Sequence, residues 1–134
     1  LEDTVSDIVP VREGLFDETD GGRLHANRCK ACGRVYFPKA PFCFDCLAKE
    51  MDEVILSRRG KLYSYAIGRM ASTHLQPPYV VGLVDLPEGV RVFAPLELRE
   101  DGTYRIGIDM EVYIDDLWQE DEKRVIGYKF RPVR

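Results

Sequence analysis

The chemistry of this chain is concentrated in Cys29-Lys30-Ala31-Cys32-Gly33 and, after ten intervening residues, Cys43-Phe44-Asp45-Cys46. These are all four cysteines of the sequence. A C-x-x-C turn brings two sulfurs to one side of the backbone, and two such turns facing each other enclose a tetrahedral ion. Cys29, Cys32, Cys43 and Cys46 are therefore the expected metal ligands. Gly33 suits the first turn, because the residue just past the pair takes a positive φ that glycine adopts without a Cβ clash. Leu47 stands in that place in the second turn and makes it less ideal. Two disulfides are the alternative, but nothing in the sequence points to an oxidising compartment. A redox C-x-x-C normally comes singly in a βαβ context, which is absent. Zinc is the expected metal, since closed all-cysteine sites without another redox feature are mostly structural zinc; iron is the alternative. Such a site contributes on the order of 10 kcal/mol to folding. The segment around it is too short to bury a core of its own and needs that contribution.

Other catalytic equipment is missing. The two histidines, His25 and His74, read as surface residues, the latter in a loop before Gln76-Pro77-Pro78. No serine or cysteine stands beside a histidine base, and no GxxxxGK phosphate loop occurs. The carboxylates Asp115, Asp116, Glu120, Asp121 and Glu122 read as a solvated acidic loop over 115–122. Trp118 within that run is a candidate contact residue.

Charge narrows the partners. The 134 residues carry a net charge of −4, which does not favour a nucleic-acid binder. From Gly21 to Phe42, however, Arg23, Arg28, Lys30, Arg34 and Lys39 occur without an acid, so this segment is +5 and the remainder −9. That is either a local anion site for phosphates or an acidic partner, or a solvated surface offsetting the charge of a metal tetrathiolate. No apolar run approaches the ~18 residues that span a bilayer. With no charged-then-apolar leader pattern at the N-terminus, a soluble cytoplasmic protein is expected.

The elements that must hold the cysteines follow. Residues 1–28 read as a lead-in, broken at Pro10, with a short helix near 11–18 and Leu15 and Phe16 as anchors. Residues 29–57 read as a metal ribbon and connector. Val35-Tyr36-Phe37 forms a short strand there, and 47–57 is a helical turn or an extended link. Tyr36, Phe37, Phe42 and Phe44 either shield the metal and dock the ribbon or, with the basic residues, form a base-stacking surface. Residues 58–134 read as five strands: Leu62 to Met70, Tyr79 to Val84, Val90 to Leu98, Ile106 to Ile114 and Val125 to Phe130. The second has the apolar composition of a strand buried on both faces. Five strands joined by short turns predict a mainly β protein with a small closed or nearly closed barrel, a sandwich being the alternative.

Ribbon followed by barrel is where a resemblance enters. Cys29-x-x-Cys32-Gly33-x-x-Tyr36 has the look of a rubredoxin knuckle. The chain resembles the DUF35 family, in which a rubredoxin-like zinc ribbon precedes an OB-fold. The matching stretches are Leu24 with the first knuckle, Phe37-Pro38-Lys39, the second knuckle, Gly60-Lys61-Leu62-Tyr63-Ser64, Pro78-Tyr79 with Val80 to Leu86, Glu88 to Val92, Ile106 to Val112, and the closing Phe130-Arg131-Pro132. Phe44 departs from a common proline and Lys39 from a frequent arginine. Neither change removes a ligand, although lysine holds a phosphate as a point charge and not bidentately.

The resemblance implies a partner role. Family members associate with acyl-CoA enzymes of the thiolase superfamily, thiolases and lipid-transfer-protein-like aldolases among them. The partner does the chemistry, and the small subunit scaffolds it and helps bind or channel acyl-CoA. The expectation is thus a non-catalytic subunit of a hetero-oligomer, with Arg34 and Lys39 as nominees for CoA contacts. The alternatives are a single-stranded nucleic-acid-binding OB module and a rubredoxin-like electron carrier.

Overall fold

A computed structural model describes residues 7–12, 14–71, 76–100, 102–120 and 122–133. The predicted position of His74 lies outside the described residues. The strands in chain order are β1 (Asp7–Pro10), β2 (Phe16–Asp17), β3 (Arg23–Cys29), β4 (Val35–Tyr36), β5 (Met51–Ile55), β6 (Arg59–Gly68), β7 (Tyr79–Asp85), β8 (Arg91–Leu96), β9 (Asp109–Glu120) and β10 (Lys123–Pro132). One 3-10 turn occupies Thr19–Gly21, and no α-helix occurs among the described residues.

The last five strands close into a barrel. They run β10-β8-β7-β6-β9, and β9 pairs back on β10. Strand periodicity explains the barrel core. Along β7 and β8 every second residue is buried, Val80, Val84, Val92, Ala94 and Leu96 among them. They meet Leu62, Met110, Val112 and Phe130 from the other strands. The register of β6 shifts between Leu62 and Ser64, a bulge of the kind that lets a strand bend between the halves of a barrel. The closed barrel, not the sandwich, is the architecture.

The ribbon is a smaller sheet in which β3 is central, pairing with β2, β4 and β5. It begins at Phe16, opposite Leu24. Leu24, Ala26 and Leu56 are buried in the same cluster as the barrel residues. Phe16 and Phe37 pack edge-on against Tyr128 of β10, with ring centroids 6.4 and 5.5 Å away. Ribbon and barrel therefore share one core. Polar ties reinforce it. The Arg58 guanidinium donates to the carbonyl oxygens of Gly22 and Val112, both at 2.8 Å. Glu88, in the β7–β8 turn, accepts from the backbone N–H and the hydroxyl of Ser57, just past the ribbon, at 2.9 and 2.6 Å.

Three local expectations are corrected, and the alternative left open for the connector is decided in favour of an extended chain. The helix near 11–18 is absent from its described residues; Phe16–Asp17 is a strand, because pairing with β3 buries Leu15 and Phe16 better than an isolated turn. Pro10 does not break regular structure but ends β1, which lies parallel to β10 from Asp7 opposite Lys123 to Pro10 opposite Ile126. An edge position tolerates the missing N–H. The connector contains β5, paired with β3 from His25 opposite Ile55 to Cys29 opposite Met51. The acidic loop is largely strand: β9 continues to Glu120, and its acids meet bases of β10, with Asp116 2.8 Å from Arg124 and Asp115 3.2 Å from Lys129. Trp118 sits in β9, half-buried opposite Val125.

Candidate metal centre

The order of strands decides where the cysteines go. Strand β3 delivers Cys29 at its end, opposite Met51. The first knuckle then turns the chain back into β4, which pairs with β3 through Asn27 opposite Tyr36. The stretch between the knuckles is anchored by Asn27, a buried polar residue of β3. Its amide donates to the Ala40 carbonyl at 2.8 Å and accepts from the Ala40 N–H at 3.1 Å. This clamp carries the chain to Cys43. No motif in the sequence announces it; only the fold brings positions 27 and 40 together.

The four Sγ atoms lie within 4.8 Å of one another. The shortest separations are 3.5 Å, between Cys29 and Cys46 and between Cys32 and Cys43. A tetrahedron with bonds of about 2.3 Å has sulfur–sulfur edges near ~3.8 Å, so the donor set fits an ion such as zinc. None of the four is in a disulfide. Both knuckles use the same local wiring. The Cys32 N–H points at the Cys29 sulfur at 3.5 Å, and the Cys46 N–H at the Cys43 sulfur at 3.4 Å. Gly33 has the expected positive φ, 83°, and Leu47 takes the matching conformation at 67°. In each pair the first cysteine is buried and the second exposed. Hydrogen bonds from the Tyr36 hydroxyl and then from the Cys46 N–H bring the Cys43 thiol down to about 6.

The aromatic residues divide. Phe37 faces the barrel, whereas Tyr36, Phe44 and Phe42 pack against one another beside Cys43, at centroid distances of 5.3 and 5.1 Å. Phe44 and Leu47 remain exposed.

The basic stretch is not an isolated positive patch. Four of its five cations face acids brought in by neighbouring segments: Arg23 on Asp17 at 2.8 Å, Lys30 on Asp52 at 3.6 Å, Arg34 on Asp45 at 3.6 Å and Lys39 on Glu53 at 2.9 Å. Arg34 and Lys39 thus lie within the metal ribbon, each already paired with an acid. His25 is half-buried, with Nε2 2.6 Å from Asp17 Oδ2. No helix of the described chain is long and apolar enough to cross a membrane.

Comparison with known proteins matches both units. Residues 16–52 fit the family model described as the ChsH2 rubredoxin-like zinc ribbon domain, and residues 53–115 that described as the ChsH2 C-terminal OB-fold domain. The chain is similar to the benzoylsuccinyl-CoA thiolase subunit BbsA of Thauera aromatica, at 37% identity over 95% of this chain and 90% of that one. It is also similar to a DUF35 domain-containing scaffold protein of Methanocaldococcus jannaschii, at 36% identity over 79% of each chain. Among solved structures, a chain of the Ltp2-ChsH2(DUF35) aldolase superposes with a TM-score of 0.65 at 32% identity, covering 82% of this chain and 84% of that one.

Proposed function

The chain belongs to the DUF35 family of paired zinc-ribbon and OB-fold proteins, and from that premise we propose that it is a non-catalytic subunit of an acyl-CoA-processing complex. Its partner is a thiolase-superfamily enzyme, a thiolase or a lipid-transfer-protein-like aldolase. The carrying observation is co-linearity: ribbon and barrel together run along nine-tenths of a relative that is itself a thiolase subunit. The same pairing aligns with a chain of an aldolase complex.

In this reading Cys29, Cys32, Cys43 and Cys46 hold zinc, which supplies a closed structural cross-link and leaves no open coordination position. Asn27 and the shared core fix the knuckles on the barrel. Strand β7 supports a partner too. It has the composition of a doubly buried strand, but its outer residues Val81 and Leu83 are only half-buried, and the neighbouring Phe93 and Tyr63 are exposed. Arg34 and Lys39 are the nominees for CoA phosphates. Each would have to exchange an exposed acid for the phosphate, a change of low cost because surface ion pairs contribute only ~0–1 kcal/mol. The setting is cytoplasmic.

A tagged chain captured from its native cell, followed by mass spectrometry, tests the proposal. The expected result is a thiolase-fold protein in near-equal amount, with C–C bond cleavage by the pair and none by the chain alone. Turnover by the isolated chain, or nucleic acid as the companion, would overturn it.

A further inference from the structure

We propose that the Tyr36 hydroxyl is a supporting donor to the Cys43 thiolate and thereby a positioning residue of the metal centre. The inference rests on the reading of the four cysteines as metal ligands and adds a residue outside that set. The Tyr36 oxygen lies 3.4 Å from Cys43 Sγ and accepts the Phe44 N–H at 3.0 Å. A metal-bound thiolate carries no proton, so the hydroxyl must be the donor of the contact with sulfur. The Phe44 N–H occupies a lone pair of the same oxygen and leaves its proton free to turn toward Cys43.

The two knuckles differ in this respect. The Cys46 N–H and the Tyr36 hydroxyl both point at Cys43 Sγ. On Cys29 Sγ the corresponding contact is the Cys32 N–H. Cys43 is fully buried, so water cannot take over the role of the hydroxyl. The ring of Tyr36 already has a packing function against Phe44. A phenylalanine would serve that function equally, so the oxygen accounts for the polar contacts alone. Groups that hydrogen-bond a metal ligand orient it and tune its donor strength, and their loss typically weakens metal binding about 10- to 100-fold.

The test is Tyr36→Phe, which keeps the ring and deletes the oxygen. Wild-type and variant chains are loaded with cobalt(II) or zinc, then challenged with a chromogenic chelator. The variant should release metal about 10-fold more readily. Its thiolate-to-cobalt charge-transfer band should move to lower energy, because a sulfur without the hydrogen bond is a stronger electron donor. Fluorotyrosine at position 36 keeps the fold and strengthens the donor, and should move the band the other way. Unchanged release together with an unchanged band, even if thermal stability falls, would reduce Tyr36 to packing and overturn the proposal. A wild-type chain that binds no metal, or that keeps it after Cys43→Ser, would instead overturn the metal reading beneath it.

Discussion

Gly33 and Leu47 are structural equivalents: each follows a C-x-x-C pair at positive φ, 83° and 67°, and each sends its N–H back to the carbonyl of the first cysteine at 2.9 Å. One knuckle meets this conformation with glycine, the other with a residue for which it costs roughly 1–2 kcal/mol. Leu47 is 68% exposed, so its side chain offers little burial in return. Leu47→Gly should raise stability by about 1 kcal/mol. Gly33→Leu should lower it by a similar amount, since a Cβ there meets nothing within 4 Å and only the backbone objects. Thermal melts of the metal-loaded chains check both. A loss of stability in Leu47→Gly would mean that the leucine has a packing role.

Metal removal should unfold more than the ribbon. Leu24, Ala26 and Leu56 are buried in one cluster with barrel residues, and a site of this type contributes on the order of 10 kcal/mol. Chelation is therefore expected to abolish the near-ultraviolet signal of the barrel tyrosines as well as the ribbon's. Cys29→Ser and Cys46→Ser should behave alike despite one site being buried and the other exposed. Circular dichroism showing a barrel that stays intact without metal would contradict this coupling.

Alkaline pH should destabilise the barrel. Burial raises the phenols of Tyr104, Tyr113 and Tyr128 above their ordinary value of 10, that of Tyr104 to about 12. A group whose folded value exceeds its unfolded one gives stability that is complete below the unfolded value and lost as pH rises toward the folded value. The expected loss therefore lies between about pH 10 and 12 at Tyr104. Ultraviolet titration of the phenolates, run beside a melt at each pH, measures it. Tyr104→Phe should blunt the dependence, while costing the hydrogen bond that the hydroxyl donates to the Glu97 carbonyl.

Charge reversal of Arg34 and Lys39 together should weaken acyl-CoA use by the assembled complex and leave its metal content unchanged. The acids now facing them, Asp45 and Glu53, would be left against like charge at exposed positions. Stability should therefore move by no more than ~1 kcal/mol. Steady-state kinetics of the complex over a range of acyl-CoA concentrations decides the matter, with unaltered KM counting against the two nominees.

What the sequence revealed and what it hid follow from the range of the interactions. The knuckles are local, so Cys29, Cys32, Cys43 and Cys46 could be grouped from spacing alone. The uniform apolar run of β7 read as buried on both faces, and hid that only Val80, Gly82 and Val84 turn inward while Val81 and Leu83 stay half-exposed. The second half of β9, past Ile114, was hidden because Asp115 and Asp116 break the apolar pattern; their partners Lys129 and Arg124 stand on the next strand. Strands β2 and β5 were hidden for a related reason. They are short, and β3 lies between them. The pairing of Lys39 with Glu53 and the clamp of Asn27 on Ala40 depend on folding and leave no mark at sequence range.

Close approach at Gly22 also constrains the whole molecule. A Cβ there would come within 3.0 Å of the Ile114 side chain, and Arg58 bridges the same residue to Val112. The joint between the two units is thus a fused elbow with no slack for a hinge. Any protein that grips the barrel also aims the knuckle tip, and the direction in which Phe44 and Leu47 point is inherited from the barrel wall.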